Sequence, residues 1–149
     1  MAHTFSRLLY HIIFSTKKRE PWLVGDLRPR LFAYMTGIVE NHEGRVILIN
    51  GIKDHLHILC ELRAAHSPAE MVLTAKSNSS RWVHETFRRS AFAWQEGYAA
   101  FSVCPSQLNK VREYIAKQEQ HHKRRTFKEE YIEFLRKHEI EYDERFVFD

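Results

Sequence analysis

The segment from residue 46 to residue 62 most constrains what this chain can fold into. Two apolar runs, Val46 to Ile52 and His55 to Leu62, meet at the polar joint Lys53-Asp54 and read as two strands of a hairpin. Side chains alternate across a strand, so Leu56, Ile58 and Cys60 share one face while His55 and His57 share the other. Two imidazoles on one face can converge on a divalent metal. They equally suit ordinary hydrogen-bonding surface. A metal centre needs a third ligand and a reactive group from elsewhere in the chain.

The flanking segments supply a regular frame. Leu8 to Thr16 alternates and is rich in Tyr, Ile and Phe, which predicts a first strand. Asp26 to Glu43 reads as a helix, with Asp26 as its cap and Gly44 as its stop. Ser67-Pro68-Ala69-Glu70 has the form of a capping box with proline at the first helical position, opening a second helix toward Arg89. Phe92 to Trp94 and Tyr98 to Val103 are short strand candidates around Gly97. Pro105 introduces a third helix through about His122, and Lys128 to His138 reads as a fourth. The order is the α+β, ferredoxin-like (RRM-like) one: an antiparallel sheet with helices on one face, followed by a helical extension. Without a long linker or internal repeat, residues 1–149 are expected to form one domain. If the apolar face of the hairpin meets the helices, His55 and His57 lie on an open, polar and accessible face.

Composition narrows the function classes. No apolar segment approaches the roughly 20 residues of a membrane helix, and Met1 to Arg7 lacks the layout of a secretory signal. Cys60 and Cys104 have no CxxC spacing, so a zinc ribbon is not indicated and a reducing cytoplasm is the expected setting. The net charge of +4 is unevenly spread. Residues 112–128 carry six bases against two acids, and residues 129–149 carry eight acids against three bases. Lys17-Lys18-Arg19 and Arg88-Arg89 add further basic clusters. A basic surface beside an acidic tail suits a polyanion confined to one face, although a solvated surface clusters charge too.

The third helix offers the missing chemistry. At about 100° per residue, Tyr114, Gln118 and His121 share a stripe beside the apolar Leu108, Val111 and Ile115. Tyr114 and Gln118 are one turn apart, so a phenol and an amide oxygen can reach a common point. A phenol with a pKa of about 10 needs a metal or base nearby to act as a nucleophile. A metal held by His55, His57 and Gln118 would polarise a phosphodiester for in-line attack. His121 and His122 are read as phosphate contacts, helix-end charges or alternative ligands, and His11 as either facing the site or packing.

His55-Leu56-His57 resembles the HUH motif (His, hydrophobic residue, His) of single-tyrosine nucleases, and Tyr114-Ile115-Ala116-Lys117-Gln118 is similar to their tyrosine-helix motif. The likeness extends over nearly the whole chain, including Tyr10-His11-Ile12-Ile13-Phe14-Ser15-Thr16-Lys17 and Trp94-Gln95-Glu96-Gly97-Tyr98. It runs on through Gln118-Glu119-Gln120-His121-His122 to His138-Glu139-Ile140-Glu141-Tyr142-Asp143-Glu144. The chain thus resembles the HUH-type single-tyrosine transposases of the smallest bacterial insertion sequences, with REP-associated tyrosine transposases as relatives. This resemblance implies a catalytic Tyr114 on a C-terminal helix, a metal (Mg²⁺ or Mn²⁺) on His55, His57 and Gln118, and a bacterial or archaeal cytoplasmic enzyme. It implies cleavage and rejoining of single-stranded DNA with hairpin ends through a 5′-phosphotyrosine. It also implies a homodimer, with active sites that are either shared in trans or completed in cis. Lys17, Lys18, Arg19, Lys76, Arg81, Arg124 and Arg125 are the candidates for DNA backbone contacts.

Two other readings share these residues. A domesticated HUH endonuclease acting on repeated hairpins would keep the same site. A non-catalytic nucleic-acid-binding domain of this fold would usually carry stacking aromatics on its central strands, where this chain has His55 and His57. A hydrolase using HxHxH chemistry is disfavoured by Leu59 at the third alternate position.

Overall fold

The computed structural model describes residues 3–149. Four antiparallel strands, β1 (Leu8–Ser15), β2 (Arg45–Ile52), β3 (His55–Leu62) and β4 (Ala99–Val103), lie in the order β2-β3-β1-β4. This is the expected ferredoxin-like topology, with the hairpin turning at Lys53-Asp54. The turn is tight: a Cβ on Gly51 would fall 2.2 Å from the His55 carbonyl oxygen, so the register needs glycine there. α1 (Leu27–Asn41) and α2 (Pro68–Thr86) cover one sheet face, burying Leu31, Met35, Met71 and Ala75 against Ile12, Phe14, Leu56, Ile58 and Cys60. Ser67 caps α2 by accepting the Glu70 backbone N–H at 3.1 Å. Glu43, not Gly44, takes the left-handed conformation after α1. Gly44 instead answers to space, since a Cβ there would come within 2.9 Å of Val39 and 3.0 Å of Leu62.

The other face is not open. α3 (Leu108–Ala116), α4 (Gln118–His121) and α5 (Phe127–Lys137) lie over it, and Phe127, Tyr131 and Leu135 pack on Ile13, Ala99 and Phe101. His55 and His57 are therefore fully buried, contrary to the polar, accessible face expected from sequence. Alternation correctly put them on the second face, but could not show which later helix would cover it. Phe92 to Trp94 forms no strand, only a single bridge between Thr16 and Trp94, because the Trp94 indole turns to donate to Ser79 Oγ at 3.0 Å. The expected third helix to His122 is broken at Lys117, although no proline or glycine stands there. The Asn50 side-chain amide on β2 donates to the Ile115 carbonyl at 2.9 Å and the Ala116 carbonyl at 3.4 Å. It thereby satisfies groups that a continuing helix would have paired. Among the described residues no helix is long and apolar enough to cross a membrane.

Candidate active site

The break at Lys117 turns Gln118 inward. Its side chain is fully buried, with Oε1 3.0 Å from His55 Nε2 and the amide nitrogen donating to Glu130 Oε2 at 3.1 Å. Both HUH-like histidines have their far nitrogen occupied. His55 Nδ1 lies 2.8 Å from Asp54 Oδ1, and His57 Nδ1 lies 2.8 Å from His11 Nε2. Their Nε2 atoms thus face the same interior point, as a carboxylate or second ring behind a ligating histidine would arrange. Glu130, from the first turn of α5, occupies that point. Its Oε1 is 3.0 Å from His57 Nε2, 3.2 Å from His122 Nε2 and 3.3 Å from His55 Nε2. Its Oε2 accepts from the Tyr114 hydroxyl.

The electrostatics follow from burial and charge. Burial works against ionised Glu130, yet its close contacts with the His122, His55 and His57 rings outweigh it and hold the carboxyl far below the usual carboxylate range. Burial opposes charge on His55 too, but Asp54 and Glu130 overcome it and its pKa is raised. At His57 burial prevails over Glu130, with His55 and His122 adding to it, and the pKa is lowered. Tyr114 is pushed well up by burial and by the neighbouring Glu130 charge, against the pull of Arg125. The resting phenol is therefore firmly protonated. Arg125 donates to its oxygen at 2.7 Å and is itself paired with Glu133, while His121 stacks on the Tyr114 ring at 4.5 Å between centroids. On its outer side Tyr114 borders a cavity of about 440 Å³, also lined by His11, Phe101, Arg125 and Phe134.

The expected site residues thus converge. Tyr114, His55, His57 and Gln118 meet within one chain, and the Tyr114 ring lies 6.2 Å from that of His57. Sequence reading missed Glu130 and left His122 and His11 undecided. An acid set in the apolar stripe of Phe127, Tyr131, Phe134 and Leu135 was the available signal for Glu130. Of the expected backbone contacts, Lys17, Lys18, Arg81 and Arg124 are exposed. Arg19 lies over the Phe148 ring at 5.1 Å. Arg125 is part of the tyrosine site. The Lys76 ammonium is spent on the carbonyls of Gln95 (2.8 Å), Gly97 (2.6 Å) and Glu96 (3.3 Å), and burial lowers its pKa to about 8. Lys76 and Arg81 both sit on α2, across the sheet from the histidines.

His55, His122 and Glu130 each offer a ligand atom, all within 4.8 Å of one another, and this group can hold a metal ion. Fold and site together define a ferredoxin-like domain whose buried histidine and carboxylate centre abuts a helix-borne tyrosine. The comparisons agree with that class. The chain belongs to the IS200-like transposase family, whose model matches residues 4–118, and it is a transposase of that DNA-cleaving kind. It is 27% identical over 124 residues to the transposase for insertion sequence element IS200 of Salmonella typhimurium strain LT2, covering 79% of this chain and 81% of that one. The Salmonella typhi transposase for the same element matches equally. Among solved structures, a putative transposase from Deinococcus radiodurans R1 has a TM-score of 0.66 at 21% identity, covering 79% of this chain and 95% of that one. A REP-associated tyrosine transposase bound to a REP hairpin has a TM-score of 0.56 at 8% identity, covering 79% and 68%. At these identities the two structures speak for the fold.

Proposed function

We propose that this transposase cleaves and rejoins single-stranded DNA at hairpin-marked ends, with Tyr114 as the nucleophile. The observation that carries this reading is Glu130, whose one carboxylate faces the histidine centre through Oε1 and the Tyr114 hydroxyl through Oε2. The nucleophile and the phosphate-activating centre are thereby one side chain apart. His55 Nε2 and Gln118 Oε1, 3.0 Å apart with the far histidine nitrogen on Asp54, form a donor set that fits a divalent cation. Mg²⁺ or Mn²⁺ held by His55, His57 and Gln118 would draw charge from the scissile phosphate. Tyr114 Oη attacks phosphorus, its proton moves toward Glu130 Oε2, and the bond to the 3′-oxygen breaks as that oxygen takes up the proton so released. The products are a 5′-phosphotyrosine and a 3′-hydroxyl. Arg125, already on Oη, offsets the charge that develops as the O–H bond weakens. The covalent link conserves bond energy, so the hydroxyl of another strand reverses the step.

Burial of Ile115 and the Asn50 clasp hold the tyrosine helix on its own sheet, which favours action in cis within each copy of a homodimer. The test is incubation with hairpin-bearing single-stranded DNA and Mn²⁺, read on a denaturing gel. A protein–DNA adduct is expected, absent with Tyr114→Phe and with EDTA. Cleavage that survives Tyr114→Phe would sink the reading. Mixed Tyr114→Phe and His57→Ala copies should stay inactive; restored cleavage would mean that sites are exchanged between copies.

A further inference from the structure

We infer that the metal centre is completed by His122 and Glu130, two residues of the C-terminal segment that lies beyond the family match at residue 118. This inference rests on the metal-dependent reading above and extends its ligand set. A carboxylate and a backbone carbonyl only accept hydrogen bonds. His55 Nδ1 faces the Asp54 carboxylate at 2.8 Å, so that nitrogen carries the ring proton. His122 Nδ1 faces the Arg125 carbonyl at 3.0 Å, so the same holds there. Gln118 spends its amide nitrogen on Glu130 Oε2, which turns its Oε1 toward both rings, 3.0 Å from His55 Nε2 and 3.1 Å from His122 Nε2. With neutral imidazoles, His55 Nε2, His122 Nε2, Gln118 Oε1 and Glu130 Oε1 therefore present lone pairs to one another with no proton between them. Buried lone pairs so arranged repel unless a proton or a metal cation sits among them.

The spacing agrees. Donors at right angles on bonds of about 2.1–2.3 Å lie roughly 3.0–3.3 Å apart. The separations from His55 and His122 Nε2 to the two oxygens run from 3.0 to 3.3 Å. The acid also changes the character of the site. His55, His57 and Gln118 are neutral ligands, whereas Glu130 adds a full negative charge, and its second oxygen ties the centre to Tyr114. Residues past 118 thus belong to the active centre itself.

Calorimetric titration of the full chain with Mn²⁺ tests this, with melting in EDTA to verify folding of each variant. His122→Ala and Glu130→Gln should each weaken binding by about 10–100-fold, whereas Lys123→Ala, an exposed neighbour, leaves it unchanged. In the wild-type protein, histidine ¹⁵N spectra with Zn²⁺ should move His122 Nε2 to a metal-bound shift, which decides the matter even where a variant fails to fold. Unaltered Mn²⁺ affinity in both variants, with binding still lost in His57→Ala, overturns the role of His122 and Glu130 and leaves the metal-dependent reading standing. Wild-type protein that binds no Mn²⁺ and cleaves in EDTA overturns both.

Discussion

Asn50→Ala is the most informative single perturbation of this site that spares every reacting group. The side chain sits opposite His57 in the β2–β3 register and donates to the Ile115 and Ala116 carbonyls, at the point where α3 ends and Gln118 turns inward. Removing it deletes a neutral hydrogen bond worth about 0.5–1.5 kcal/mol and strands a carbonyl at a further cost, about 1–3 kcal/mol in all. For a chain of this size, 1 kcal/mol moves the melting temperature by roughly 2–4 °C, so a fall of about 2–12 °C is expected. The same free energy also holds Tyr114 and Gln118 against the histidines. With 1.4 kcal/mol per tenfold, the equilibrium constant for docking falls about 5- to 150-fold if the whole cost falls on docking. The assay pairs a thermal melt with the single-turnover rate of adduct formation at saturating Mn²⁺. Both should fall together, whereas Tyr114→Phe abolishes the adduct with little change in melting. An Asn50→Ala protein with unchanged melting and an unchanged rate would refute the claim that this amide causes the break and docks the tyrosine helix.

Two further outcomes follow from the geometry. Burial, with help from His57 and His138 and against Glu130, holds the His11 pKa well below 6.5, so this ring stays neutral in the fold while its unfolded counterpart takes a proton. Its contribution to stability is intact above about pH 6.5 and is lost as the pH falls, by up to about 1.4 kcal/mol per pH unit. His55, with a raised pKa, contributes the opposite slope above that window. Urea unfolding of the EDTA-treated protein between about pH 5 and 6.5 should give a shallower dependence in His11→Gln than in wild type; identical slopes would count against a neutral His11. Gly51→Ala would press a Cβ into the His55 carbonyl and should destabilise by about 3 kcal/mol or more. Soluble Gly51→Ala with wild-type melting and Mn²⁺ affinity would show that the hairpin accommodates the side chain.

The local sequence was sufficient wherever a short-range rule governed. Period-two alternation separated Leu56 and Ile58 from His55 and His57, and the Lys53-Asp54 joint marked the hairpin, because strand pleating depends on the residues themselves. Tyr114 and Gln118 were legible as a pair for a different reason, the resemblance of their motif. The failures were all matters of distant partners. The kink at Lys117 is held by an Asn50 amide that lies 65 residues before its partner Ile115, so no helix-breaking residue marks it. Glu130 looked like one more acid of a negative tail, and only its position in the apolar stripe of α5 distinguished it. Arg125 and Lys76 were grouped with the phosphate-binding cations by charge, whereas one lies on the tyrosine and the other on three loop carbonyls.

The groups that meet at the centre are far apart along the chain: 46 residues between His11 and His57, 63 between His55 and Gln118, and 73 between His57 and Glu130. Contacts that close such long loops form late, because the chain must be ordered before they repay its entropy. During synthesis all four sheet strands emerge before α5. A growing polypeptide therefore displays its histidines well before the carboxylate that ties them to Tyr114 exists. The order of elements acts as a safety interlock, withholding the assembled histidine–carboxylate centre until α5 has been made.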